Sequence, residues 1–344
     1  MRAIFNRNNI IALLVILIAI AYPSFVKSYY RSLMTEVLIF AIFAMSLDLL
    51  LGYTGLPSFG HAAFFGLGAY TAAFIASNNM RALDLTSNLF VTLPAVIIVT
   101  ALFGLIIGYF AIRTSGIYFL MITLAAAQML FSVASRWSNV TGGSDGMSGV
   151  QNIVVGIGPM SYEFSAFRPD FYYLVLGFAV IVWLILRGIV NSPFGWTLQG
   201  IRENESRMKA LGYNTFRFKL AAFVIAGAFA GVAGLLSAHF FKNATPISLS
   251  LNTSGEAMIA LIIGGAGTLA GPIIGSAVVK MFPLIVSSYI ERWRMVEGFL
   301  FIAFVLFAPN GVLGMLKNMI TVQPPSTGSG GGRSLHTAGE SEDS

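Results

Sequence analysis

Residues 37–80 read VLIFAIFAMSLDLLLGYTGLPSFGHAAFFGLGAYTAAFIASNNM, 44 residues with a single charge, Asp48. A helix crosses the hydrocarbon core of a bilayer with about 20 apolar residues, so this stretch is too long for one crossing. Gly52, Gly55, Pro57 and Gly60 interrupt it. They predict one helix ending near Leu51 and a second starting near Ser58. A break at membrane depth must be sheltered by protein or line a wet cavity, because lipid cannot satisfy the freed backbone groups.

The rest of the chain follows the same arithmetic. A central Asp, Lys or Arg costs roughly 2.5–3.5 kcal/mol on insertion, so long uncharged gaps mark spans. Such gaps run from Asn8 to Val26, Leu85 to Ile112, Thr114 to Ser135, Phe171 to Leu186, Leu220 to Phe241, Ala257 to Val279 and Gly298 to Leu316. The stretch from Glu256 to Ile290 is interrupted by Gly264, Gly265, Gly267, Gly271 and Pro272 into two short segments. The pattern predicts an all-α polytopic membrane protein of about ten transmembrane helices (eight to ten), some broken or short. Residues 1–320 form the membrane domain. Residues 321–344, rich in Pro, Gly, Ser and Thr, cannot bury a core and are expected to be a disordered polar tail. Arg2 and Arg7 give the first span a basic start. Its 19 uncharged residues are long for a signal-peptide core and no A-x-A site follows, so a retained span is expected.

Composition agrees. The 344 residues are 56% hydrophobic and 10% charged, with mean hydropathy +0.80. Soluble domains carry about 25% charged residues, which excludes an ordinary soluble enzyme or nucleic-acid module. The formal charge of +6 reads as membrane topology and contact with anionic lipid. No cysteine is present and only three histidines, His61, His239 and His336, so no disulfide and no metal site are expected. The segment Gly188–Lys219 holds five basic residues and the segment Arg136–Pro169 holds two. The positive-inside rule places the segment 191–219 in the cytoplasm and the loop 136–169 outside. Ten spans then put both termini inside.

Small residues recur every four positions at Gly267, Gly271 and Gly275, at Gly227 and Gly231, and at Gly104 and Gly108. This spacing lets helix backbones approach closely, within one subunit or across an interface. Gly265-Ala266-Gly267-Thr268-Leu269-Ala270 fits a dinucleotide fingerprint, but no strand–helix–strand unit surrounds it. No G-x-x-x-x-G-K-S/T occurs, so the chain holds no P-loop of its own.

From Asn191 the chain reads NSPFGWTLQGIRENESRMKALGYNTFRFKL. Ser192-Pro193 can start a helix, and Leu198, Ile201, Met208 and Leu211 fall within one arc of about 140°. Arg202 and Glu205, and Glu203 and Arg207, are spaced to pair, and Gly212 ends the helix. Such a helix lies in the lipid headgroups or docks on a cytoplasmic partner. The stretch resembles the coupling loop of ABC-importer permeases in the branch carrying I-R-E-N-E and A-L-G-Y-N, here Ile201–Glu205 and Ala210–Asn214. Leu51–Phe65, with Ser58-Phe59-Gly60-His61, is similar to that family's G-x-x-S-F-G-H-A-A-F region. Thr141–Gly146 is similar to its external T-G-G-x-x-G turn, and Gly264–Pro272 to its late glycine-rich break. The resemblance spans residues 10–316 and is to the LivM-type permease of branched-chain amino acid importers. Pro57 departs from the small aliphatic residue expected there.

The resemblance implies an ABC-importer permease fold in a bacterial cytoplasmic (inner) membrane. It implies a second permease subunit of the same family, two cytoplasmic ATPase subunits that bind ATP and Mg, and a periplasmic or lipid-anchored solute-binding protein. It implies no catalytic residue, no cofactor and no nucleic acid for this chain. Residues expected to couple to the ATPases are Leu198, Ile201 and Met208 as anchors, Arg202, Glu203, Asn204 and Glu205 as polar contacts, and Gly212. Asp48, Ser58, Phe59, Gly60, His61, Gly265 and Gly267 are expected along the solute path. Gly142, Gly143, Asp145 and Gly146 are expected to contact the binding protein. Lys280 is expected to snorkel to an interface. For Ser58 and His61 a hydrolase dyad lacks an orienting third group and an oxyanion site; a structural role and path lining both stay open. The solute follows only from the resemblance, with urea, short amides or another small polar solute as alternatives. An ion-coupled secondary transporter would need buried ion sites, for which Asp48 and His61 are thin material, and has no use for a coupling helix.

Overall fold

The computed structural model of the chain describes residues 17–302 and 311, apart from 24–25, 79–81, 83–85, 157–160, 167, 290–291, 293–294, 297 and 300. The expected tail at 321–344 and much of the expected first and last spans lie outside the described residues. Residues 17–23 are helical. Beyond them, among the described residues, ten α-helices of six or more residues follow: α1 (Ser28–Asp48), α2 (His61–Ala76), α3 (Leu89–Ala111), α4 (Ile117–Arg136), α5 (Pro169–Val190), α6 (Pro193–Glu203), α7 (Glu205–Ala210), α8 (Thr215–Phe241), α9 (Leu251–Gly264) and α10 (Gly271–Ser287). Polar residues set several starts. Asn88, Ser192, Asn204, Asn214 and Ser250 each accept a backbone N–H in the first turn of α3, α6, α7, α8 and α9.

Five stretches among the described residues are long and apolar enough to cross a membrane: Ser28–Thr54, Leu89–Ala111, Ile117–Arg136, Pro169–Val190 and Thr215–Phe241. The apolar helices α2, α9 and α10 are shorter, at 16, 14 and 17 residues. Their rise is about 21–26 Å, less than the roughly 30 Å hydrocarbon core. The chain is a mostly helical membrane protein in which, among the described residues, full-length and short apolar helices stand side by side.

The centre is α8, buried along most of its length and packed on α1, α2 and α3. The small-residue rows form these contacts inside the chain. A Cβ at Gly227 would meet Phe64 at 3.1 Å, one at Gly231 would meet Thr100 at 2.5 Å, and one at Gly104 would meet Val224 at 3.3 Å. At Gly234 a Cβ would lie 1.9 Å from the Phe65 carbonyl oxygen, so α2 and α8 touch backbone to backbone. The α9–α10 pair lies against α1. By contrast α3 and α4 expose Ile98, Leu102, Phe110 and Met129, an apolar surface that suits lipid and not water.

The expected break after α1 is present, shifted by three residues. A π-helical turn, Leu49–Thr54, continues α1 and ends at Gly55 with φ +74°. The chain then runs without helix from Gly55 to Ser58, and α2 begins at His61. Phe64 in its first turn faces Gly227, midway along the 27-residue α8, so α2 starts inside the bundle. The start of α9 is at the same level, since Ala62 N donates to Ser254 Oγ at 2.9 Å. Loops segregate to two ends. At one end lie the π turn, α6, α7 and residues 265–270. At the other, Met147–Ser148 pairs antiparallel with Asn243–Ala244, and Ile153–Val155 with Tyr162–Phe164.

Replacing Gly234 by Val is expected to force α2 from α8 and cost about 1–3 kcal/mol, read as a lowered thermal unfolding midpoint of the purified chain. Gly177→Ala, in open space, is expected to leave the midpoint unchanged or raised. Equal midpoints for both variants would contradict the backbone contact.

Candidate functional site: a buried carboxylate under the surface helices

The surface segment 191–219 holds two helices where the periodicity suggests one. Asn204 adopts an extended conformation (φ −157°, ψ 98°) and its side chain accepts the Arg207 N–H at 2.9 Å. That cap starts a new helix, because its own φ/ψ cannot continue α6. Gly212, at φ +89°, closes α7 as expected. Leu198 and Ile201 turn inward and are buried in this chain's own core. Met208 is half-buried, with its sulfur packed at Gly200. These side chains therefore seat the segment on its own spans. The face left open carries Trp196, Arg202, Glu203, Arg207, Leu211 and Tyr213.

The expected pairs Arg202–Glu205 and Glu203–Arg207 are not formed. Their members are split between two helices, which removes the i,i+3 and i,i+4 geometry. Glu205 instead accepts from Lys219, from Lys209 at 3.0 Å and from Thr215 Oγ1 at 3.0 Å. Burial pushes its carboxyl up, but hydrogen bonds from the two ammonium groups outweigh this and hold it at about 2.

Arg202 points the other way. Its guanidinium donates to the Gly52 carbonyl in the π turn. One turn earlier sits Asp48, fully buried. Its Oδ1 accepts the Gly267 N–H at 2.6 Å and its Oδ2 accepts the Leu269 N–H at 2.9 Å. The geometry needs glycine at 52, where a Cβ would lie 2.0 Å from Asp48 Oδ1 and 2.4 Å from Gly267 N. Across the loop, Thr268 Oγ1 donates to Gly265 O at 2.8 Å and accepts from Gly271 N at 2.9 Å, which joins the loop to the start of α10. The surface helix, the end of α1 and the α9–α10 loop are thus one hydrogen-bonded unit.

The other sequence candidates separate. His61 is fully buried; its Nε2 is 2.8 Å from Ser46 Oγ and its ring stacks on Phe43. Ser58 Oγ accepts from Gly60 N instead, so Ser58 and His61 form no dyad. Ser58, Gly60 and Gly265 are buried and Gly267 is half-buried, while Phe59 reaches an open groove beside α9 and α10. At the opposite end, Gly142, Gly143 and Gly146 all have positive φ and build the turn. Gly146 is packed on the Ala244 carbonyl, and only Asp145 of that set projects with an exposed side chain. Lys280 is paired with Glu256 at 2.9 Å and Glu36 at 3.7 Å. Sequence reading missed this group because each member sits on a different helix at the edge of an uncharged run.

Over residues 29–307 the chain matches the family described as the permease component of the branched-chain amino acid transport system. It is 25% identical to the high-affinity branched-chain amino acid transport system permease protein LivM of Salmonella typhimurium, over 92% of this chain and 77% of that one. It is likewise 25% identical to the LivM of Escherichia coli K12, over 91% and 76%. To the probable branched-chain amino acid transport permease protein LivH of Methanocaldococcus jannaschii it is 25% identical, over 80% and 88%. No solved structure gives a significant match. The chain belongs to the family of permease components of branched-chain amino acid transport systems.

Proposed function

We propose that this chain is one of two related permease subunits of an ATP-driven importer of branched-chain amino acids. Its relatives of both LivM and LivH type carry that transport in their names, which supports a pair. In this reading ATP and Mg are bound by two cytoplasmic ATPase subunits and a solute-binding protein docks on the end that carries residues 136–169. The chain sits in the inner membrane with both termini inside.

The observation that carries the mechanism is the bonded unit of Arg202, Gly52, Asp48 and the 265–270 loop. A push on the open face of α6 and α7 moves Arg202. Arg202 holds the π turn through Gly52, and Asp48 holds the loop at the base of α9 and α10. Motion delivered at the surface is passed to the two short helices without a flexible joint between. Glu205, bound to Lys219 on α8, ties α7 to the same frame.

In the assembled transporter reconstituted in vesicles, Arg202→Ala is expected to lower leucine import per ATP hydrolysed by about tenfold, the worth of one charged hydrogen bond. Unchanged import per ATP would contradict the coupling path, and import by the wild type without ATP would contradict the proposed function. Because the Glu205 carboxyl is held below its ordinary 4.5, at about 2, its stabilising contribution is complete above 4.5 and is lost as pH falls toward 2. Glu205→Gln is therefore expected to melt below the wild type at neutral pH, with the gap closing across that window. A gap that persists at pH 2 would contradict the ion pairing.

A further inference from the structure

Glu36, Glu256 and Lys280 come from α1, α9 and α10 and meet at one point. Lys280 Nζ lies 2.9 Å from Glu256 Oε2, 3.7 Å from Glu36 Oε1 and 4.4 Å over the Phe40 ring. Lys280 follows Gly271 by nine residues and Glu256 precedes Gly264 by eight, a rise of about 12–14 Å from the loop that joins the two helices. That places the trio near the middle of a core about 30 Å thick. None of the three is sealed away: their side chains are 22%, 33% and 41% exposed for Lys280, Glu36 and Glu256. They open on a groove of about 950 Å³ whose other walls are mostly apolar, among them Phe59, Leu120, Met121 and Ile259.

Lipid cannot solvate three partly exposed charges at that depth; such groups face a bundle interior or water. The two carboxylates share one ammonium, so the trio has one net negative charge and room for another cationic group. An apolar wall with one ammonium and one under-neutralised carboxylate fits a zwitterion with an aliphatic side chain. We propose that this groove is a wall of the solute path, and that the head group of an aliphatic α-amino acid exchanges into the trio. Its ammonium goes to Glu256, the most open of the three, and its carboxylate to Lys280. Glu36 stays behind and keeps Lys280 paired. This rests on the proposed function and adds to it the residues that meet the solute.

The chain contains no cysteine, so a single introduced thiol is the only one on it. In nanodiscs holding the transporter with its partner subunits, Asn252→Cys, on the groove wall, is compared with Leu102→Cys on the lipid-facing side of α3. A charged, lipid-insoluble methanethiosulfonate is the probe, read as the mass shift of this chain. Modification at 252 is expected to be roughly tenfold faster or more, because the reacting thiolate does not form in hydrocarbon. Saturating L-leucine is expected to slow it. Adding Glu256→Gln is expected to weaken that protection about tenfold, the loss of one charged hydrogen bond, while labelling without leucine shows that the groove is still formed. Glu256→Asp is expected to restore part of the protection. Equal rates at 252 and 102 would overturn the proposal, since the groove would then be covered by lipid or by a dry contact with the second permease. Fast labelling insensitive to leucine or to Glu256→Gln would also overturn it, leaving a wet surface with no head-group site. Wild-type leucine import, measured on the same complex in vesicles, reads the proposed function separately: import present with equal labelling rates removes only this inference.

Discussion

A buried carboxylate with nowhere to ionise into water must be met by hydrogen bonds, and at Asp48 they come from the Gly267 and Leu269 amides of a loop more than two hundred residues away. Much else follows from that requirement. Gly52 has no side chain because one would collide with both the carboxylate and the loop. The backbone leaves α-helical geometry in the Leu49–Thr54 π turn, the kind of irregularity that clusters at functional sites. Leu269 accepts a left-handed conformation, a strain a β-carbon-bearing residue bears only when its surroundings hold it there. The Gly52 carbonyl, presented at the cytoplasmic end under the charge-based orientation, is the point that Arg202 takes up.

The two short helices acquire meaning from the same frame. α2 and α9 begin inside the bundle with their first turns joined by Ala62 and Ser254. Their partial lengths leave the chain without α-helix on opposite ends of the molecule, at 55–58 and at 242–250, where Pro246–Leu249 forms a short 3-10 helix. Such irregular backbone persists at membrane depth only under the shelter of protein, here supplied by α1, α4 and α8. The charged trio lies on the open side of this pair, in a groove whose far wall is Leu120 and Met121 of α4, and the apolar face of α3 lies elsewhere. One surface suits hydrocarbon and another does not, which is the asymmetry a subunit needs if it shares a path with a partner.

Much of the architecture was legible in the residues. Glycine and proline at 52–60 and 264–272 marked both breaks, and the four-residue glycine spacing marked the faces of α3 and α8 that meet. What was local could be read. The partners of Asp48 could not, because a hydrogen bond to a backbone amide leaves no trace in side-chain type. His61 was read beside Ser58 from spacing, yet it binds Ser46 one helix back, since the break turns α2 against α1. The surface segment was read as one rod because its apolar period continues through residue 204; the cap formed by Asn204 overrides that period. Glu36, Glu256 and Lys280 were invisible as a group, being brought together only by the packing of α1, α9 and α10.

The central claim is that Arg202 and Asp48 act through one connected element. A double-mutant cycle of Arg202→Ala and Asp48→Asn, read as leucine import per ATP in the reconstituted transporter, measures this directly. The expected result is strong non-additivity: once either residue is changed, changing the other costs little more. Additive losses would mean that the two residues act independently, and the transmission described here would be wrong.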